Sequence, residues 1–165
     1  MLGKIFKRKQ KIDQEEFFSP LTGELIPLEK VSDPVFSQKM MGDGVAIIPE
    51  EGVLVSPVEG EIIQVFPTKH AIGIKSIAGL EILLHVGLNT VELDGKGFEI
   101  LVKKGSFVKK GDSLLNFDIP FLKSENKDIV TPLIITNTSE AIDGVIDVEN
   151  RMVAIMDSLF VCKLK

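Results

Sequence analysis

From Phe17 onward, short apolar runs alternate with Gly, Pro and Asp at close intervals. No segment sustains a 3.6-residue period beyond two or three turns. The pattern predicts strands over 24–28, 44–48, 60–66, 71–75, 81–86, 98–102, 113–118, 133–136, 152–156 and 159–164. Residues 120–124 and 138–142 are each long enough for a helical turn, the second opened by Thr138 or Ser139 as N-cap. The fold class is therefore all-β: an antiparallel sandwich or barrel-like domain with short helical turns. Residues 1–16 read as a basic tail and linker, and residues 17–165 as a single domain.

An internal echo supports this. Phe18-Ser19-Pro20-Leu21-Thr22-Gly23-Glu24-Leu25-Ile26 recurs 37 residues later as Val55-Ser56-Pro57-Val58-Glu59-Gly60-Glu61-Ile62-Ile63, with five of nine positions identical. Pro followed by Gly before an apolar strand predicts a turn, Pro fixing φ and Gly supplying a positive φ. The phrase from Lys103 to Asp112 adds two more turns, at Gly105 and Gly111.

Composition narrows the function classes. A single Cys and two His among 165 residues leave no disulfide framework and no Cys/His cluster for structural zinc. No apolar run reaches the roughly 18 residues of a membrane span, and the start lacks the apolar stretch of a secretion signal. The cytoplasm is the expected compartment. Lys4, Lys7, Arg8, Lys9 and Lys11 concentrate positive charge in the first eleven residues, so the rest of the chain carries about −10. With no Trp and no Tyr, nucleic acid is a poor partner. Leu2, Ile5 and Phe6 share one helical face among those cations, the pattern of a segment lying on a membrane surface, possible peripheral contact through residues 1–11.

The two histidines, His70 and His85, sit at the ends of apolar runs. If Ile77 and Ala78 form a two-residue turn, the histidines stand opposite each other with Cβ atoms about 5 Å apart. Ser76-Ile77-Ala78-Gly79 suits a three-residue loop with a bulge at Gly79 equally well. That slip of one residue is expected to send the rings to opposite faces. Two imidazoles at one apolar site suit acid/base work, a covalent group on nitrogen, or a metal. Catalytic zinc takes three protein ligands, and no carboxylate lies at ligand spacing beside either His.

Gly79-Leu80-Glu81-Ile82-Leu83-Leu84-His85-Val86-Gly87-Leu88-Asn89-Thr90-Val91 resembles the active-site signature of the glucose-type IIA domains of the bacterial phosphoenolpyruvate-dependent sugar phosphotransferase system, with every fixed position present. The resemblance runs from Phe17 to Lys165 through Ser19 to Glu24, Gly42 to Ile47, Thr68 to Ala71, Gly97-Phe98 and Thr131-Pro132. It implies an antiparallel β-sandwich that acts as a phosphotransferase component. His85 receives a phosphoryl group on Nε2 from the phosphocarrier HPr and passes it to a cysteine on a sugar-specific IIB domain. His70 contacts the phosphoryl oxygens and Thr68 orients its ring. On these roles the two-residue register is preferred.

Partners must dock over an apolar collar that excludes water, for which Phe36, Met40, Met41, Phe66, Ile72 and Val86 are the candidates; of these, Phe36, Met40 and Met41 match a partner-docking region of the family. No cofactor is required, and a zinc held jointly by His70 and His85 when a partner docks is the one metal reading left open. Asn89 departs from the family, where Asp is frequent. Glu92, Asp94 and Glu99 read as solvated loop charges and Cys162 as a half-buried strand thiol without a role. Two alternatives compete. One is a biotinyl or lipoyl-like carrier using Lys39 in Gln38-Lys39-Met40, which lacks the preceding Met. The other is a zinc peptidase, which requires more than two histidines.

Overall fold

The computed structural model describes residues 12–165; the basic segment 1–11 lies outside them, and with it the expected membrane contact. Among the described residues, fourteen strands pair antiparallel in three sheets. The largest contains β13 (Arg151–Val153), β2 (Gly23–Pro27), β3 (Asp43–Pro49), β11 (Thr131–Ile135), β7 (Glu81–His85), β6 (Ala71–Ser76), β5 (Gly60–Val65) and β9 (Phe107–Val108), in that spatial order. One smaller sheet joins β4 (Val53–Val55), β10 (Ser113–Phe117) and β8 (Phe98–Ile100). The other joins β1 (Gln14–Phe18), β14 (Ser158–Leu164) and β12 (Ile142–Asp143). Short helices follow at α1 (Pro34–Ser37), α2 (Ile119–Ser124) and α3 (Thr138–Ala141). The antiparallel β-sandwich expected from the sequence is what forms.

The large sheet is covered on both faces at its centre, and alternation along the strands decides which residue goes where. Leu25, Val45, Ile47, Ile72, Ile82, Leu84, Leu133 and Ile135 enter the main core. Their neighbours Ile26, Ala46, Ala71, Leu83 and Ile134 turn the other way, into a smaller cluster closed by Leu28, Val31, Phe36, Leu88 and Val130. Two covered faces explain why β11 is buried at every position and why the runs in β3 and β7 read as continuously apolar. The second cluster is the floor of the site described below.

The internal echo is structural. Ser19 Oγ donates to Leu21 O at 2.6 Å, and Ser56 Oγ to Val58 O at 2.7 Å, so each copy closes the same turn. The copies also bond to each other, Phe18 N to Pro57 O and Val55 N to Pro20 O. Their glycines have a different reason than expected, since neither has a positive φ. A Cβ on Gly23 would stand 2.0 Å from Ile48 O, and one on Gly60 2.2 Å from Lys75 O. Close passage of the neighbouring strand, rather than a left-handed turn, excludes a side chain there.

Several elements differ from the sequence reading. Residues 14–16, read as linker, are the start of β1, which pairs along β14 from Gln14 opposite Lys163. The short strands β4 and β12 and the helix α1 were not predicted; each spans four residues or fewer, too few for a period to show. Helix α3 opens at Asn137 instead of Thr138 or Ser139. Asn137 is drawn away from capping because its side chain bridges Glu81 N and Gly79 O, locking the β6–β7 turn.

Candidate active site

β6 and β7 bring the two histidines together, by a route the sequence did not suggest. Ala71 stands opposite His85 and Lys75 opposite Glu81. The turn is the three-residue loop: Gly79 N bonds Ser76 O, Ser76 N bonds Leu80 O, and Gly79 takes φ +93°. The register is therefore the slipped one, and the two-residue turn is corrected. The rings meet all the same, with centroids 4.7 Å apart and planes at 82°. His70 precedes β6, following Lys69 at φ +62°, and its carbonyl accepts from Val86 N at 2.8 Å. Beyond the last pleated pair, alternation no longer dictates where a side chain points, so the slip does not separate the rings.

Each ring is held at Nδ1. His85 Nδ1 lies 2.8 Å from Gly87 O; a carbonyl can only accept, so Nδ1 carries the proton and the Nε2 lone pair is free. His70 Nδ1 lies 2.9 Å from Thr68 Oγ1. Phe36 packs against His85 with centroids 5.2 Å apart, and Phe66 lies edge-on to His70 at 5.6 Å. Phe36 is placed by α1, where Asp33 caps Val35 N and Pro34 occupies the first turn.

Burial, followed by the charge of His85, lowers His70 to about 4, against the opposing pull of the Thr68 backbone carbonyl. Burial also lowers His85; its bond to Gly87 and, more weakly, the Asp33 carboxylate act the other way. Both imidazoles are therefore held neutral near pH 7.

The six collar candidates divide. Met40 is 69% exposed and Met41 37%, while Phe66 is half-buried. Ile72 and Val86 are corrections: both are fully buried in the main core, on the side of the sheet away from the rings, and no partner reaches them. Phe36 is also buried, a wall behind His85 rather than a docking surface. Sequence reasoning passed over Val35 and Val91, which are exposed beside the site at 41% and 53%. The signal was present in their placement, Val35 just inside α1 and Val91 just inside the helical turn Thr90–Leu93.

Other candidates are also placed. Lys39 Nζ is engaged by Glu29 at 3.5 Å and Asp43 at 3.3 Å, which ties it down instead of presenting it for modification. Cys162 is fully buried, not half, and burial pushes its thiol up to about 12. Glu92 pairs with Lys127, and Glu99 accepts from Asn116 Nδ2. Asn89 takes φ +59° at the entry to the Thr90–Leu93 turn, a conformation Asn tolerates. Among the described residues no group of three or more His, Cys, Asp and Glu could hold a metal.

Residues 15–141 match the family model described as the phosphoenolpyruvate-dependent sugar phosphotransferase system, EIIA 1. The chain belongs to this EIIA family. It is 50% identical over 141 residues to the glucose-specific EIIA component of Staphylococcus epidermidis, covering 85% of each chain. It is 53% identical to the glucose-specific EIIA component of Bacillus cereus over 141 residues, 86% of each. Among solved structures, the glucose permease IIA of Mycoplasma capricolum superposes with a TM-score of 0.83 at 36% identity, covering 93% of this chain and 99% of that one. Membership makes the chain a phosphotransferase component of sugar transport and leaves no support for the Lys39 carrier reading.

Burial of neutral His70 has a pH signature. Its unfolded form binds a proton near 6.5 and its folded form only near 4, so its contribution to stability is full above 6.5 and is lost as pH falls towards 4. Between pH 7.5 and 5 that loss is about 2 kcal/mol. Urea unfolding of wild type and His70→Gln at the two values should show a smaller loss in the variant; equal losses would contradict the burial account.

Proposed function

We propose that this EIIA protein is a phosphohistidine carrier in which His85 Nε2 accepts the phosphoryl group of HPr and delivers it to a sugar-specific IIB domain. One observation carries the assignment: with Nδ1–H given to Gly87 O, His85 keeps Nε2 unprotonated, in a ring whose centroid is 4.7 Å from that of a second neutral imidazole. In the transfer, the Nε2 lone pair forms the N–P bond as the bond from phosphorus to the donor breaks, and the donor keeps that electron pair. On delivery the IIB thiolate attacks phosphorus, and the N–P electrons return to Nε2.

His70 stabilises the charge on the equatorial oxygens. Thr68 Oγ–H donates to His70 Nδ1, which places the ring's own proton on Nε2, facing the phosphoryl group. A neutral imidazole suits a carrier because it is both nucleophile and leaving group, so the phosphoryl group is not trapped. The apolar surroundings, Phe36 behind and Met40, Met41 and Phe66 around, exclude water once a partner docks. Methionines suit a surface that must repack against two different partners.

Transfer as written uses the two imidazoles, the Thr68 hydroxyl and the Gly87 carbonyl. The two imidazoles offer two ligands to a zinc ion, so a metal there depends on a partner's side chains for the rest. The protein works on the cytoplasmic side, and among the described residues no helix is long and apolar enough to cross a membrane. Residues 1–11, in which Leu2, Ile5 and Phe6 are spaced among five basic residues, add a peripheral contact to anionic lipid.

Incubation with phosphoenolpyruvate, the general phosphotransferase enzyme and HPr should add the mass of one phosphoryl group to wild type and none to His85→Ala. His70→Ala should still be labelled but should pass the group to IIB at least about tenfold more slowly, as expected for loss of charge stabilisation. Equal labelling of wild type and His85→Ala would overturn the assignment. Separately, the full chain should co-sediment with phosphatidylserine vesicles and a form lacking residues 1–11 should not; equal sedimentation would remove the membrane contact.

A further inference from the structure

Thr90, within the signature stretch, is fully buried and has no part in the transfer described above. Asp128 lies outside the signature, in the loop between α2 and β11. Both bond to the backbone that follows His85.

Past His85, the two consecutive peptide units that flank Gly87 are each fixed from outside. In the first, the Val86 carbonyl accepts from Thr90 Oγ1 at 2.6 Å, just after Val86 N has bonded His70 O at 2.8 Å. In the second, the Gly87 carbonyl accepts from His85 Nδ1, and the N–H of the same unit, Leu88 N, donates to Asp128 O at 2.9 Å. A peptide unit is planar, so bonding its N–H sets the direction of its C=O. Asp128 is itself fixed, its Oδ1 accepting from Val130 N at 3.0 Å, while Lys127 beside it pairs with Glu92 in the turn that contains Thr90.

Between the two anchors Gly87 takes φ +76°. A Cβ there would fall 2.6 Å from Thr90 Cγ2 and 2.9 Å from Asp128 O, so the two residues close on the loop from both sides. Glycine is otherwise the residue freest to turn its peptide away.

We propose that Thr90 and Asp128 are positioning residues for His85: by clamping the two peptide units that flank Gly87, they determine which ring nitrogen carries the proton and where the other points. Release of either anchor lets the Gly87 carbonyl swing. Nδ1–H then loses its acceptor, the proton distributes over both nitrogens, and a fraction of molecules has no lone pair on Nε2.

The inference uses the phosphocarrier reading only for its kinetic readout, because the tautomer is measured on unphosphorylated protein. The test compares Thr90→Val, Thr90→Ser, Asp128→Ala and Asp128→Asn by the imidazole 15N shifts of His85 and by the rate of phosphoryl uptake from HPr. Thr90→Val keeps the branched shape without the hydroxyl, and Asp128→Ala removes the acceptor for Val130 N. In both, the Nδ1 resonance should move from its protonated value towards the average of the two tautomers, and uptake should slow about tenfold, equivalent to about 1.4 kcal/mol of barrier. Thr90→Ser and Asp128→Asn, which keep the bonding atoms, should hold wild-type shifts and rates. A lower melting temperature in Thr90→Val and Asp128→Ala with unchanged His85 shifts and unchanged rate would overturn the proposal, leaving both residues merely structural. If wild type takes up no phosphoryl group, the carrier reading fails and the nitrogen shifts alone decide the clamp.

Discussion

The hydrogen bond from His85 Nδ1 to the Gly87 carbonyl is the interaction on which the site depends. A neutral imidazole has one proton and two nitrogens, and only the nitrogen without the proton can attack phosphorus. By giving Nδ1–H an acceptor two residues along the same chain, the fold decides that choice locally, before any partner arrives. The rest of the site serves this arrangement: burial keeps the rings neutral, the second imidazole lies 4.7 Å away between centroids, and Phe36 packs against His85.

The large sheet makes a buried, neutral pair compatible with access. Its two covered faces separate tasks, the main core supplying most of the apolar burial and the smaller cluster supplying a rigid floor for two rings at the sheet's edge of regularity. His85 is the last residue of β7, and His70 lies one residue outside β6. At such positions side chains are still anchored by strand hydrogen bonds but are released from strict alternation. That lets two residues whose backbone register predicts opposite faces place their rings 4.7 Å apart.

The periodic features were legible in the sequence. Ten of the strands announce themselves as apolar runs between turn residues, and the repeated Ser-Pro-x-x-Gly-Glu phrase marks a pair of turns that bond each other. Features set by distant backbone were not. Gly23 and Gly60 look like turn glycines and are close-approach glycines; Asn137 looks like a loop residue and locks the turn that sets the β6–β7 register. Ile72 and Val86 adjoin the histidines in sequence yet face the opposite way, because the residues of these strands, through Val86, follow the pleat that His70 escapes. The histidines themselves were found by rarity, apolar context and resemblance; their geometry had to come from the fold.

In the phosphorylated protein, Nε2 of His85 should be the nitrogen bonded to phosphorus. Protein labelled with 15N in its imidazoles and phosphorylated through HPr, observed by nitrogen–phosphorus correlated NMR, tests it directly. The prediction is a single N–P coupling at His85 Nε2 with Nδ1 still protonated. A coupling at Nδ1, or at either nitrogen of His70, would contradict it.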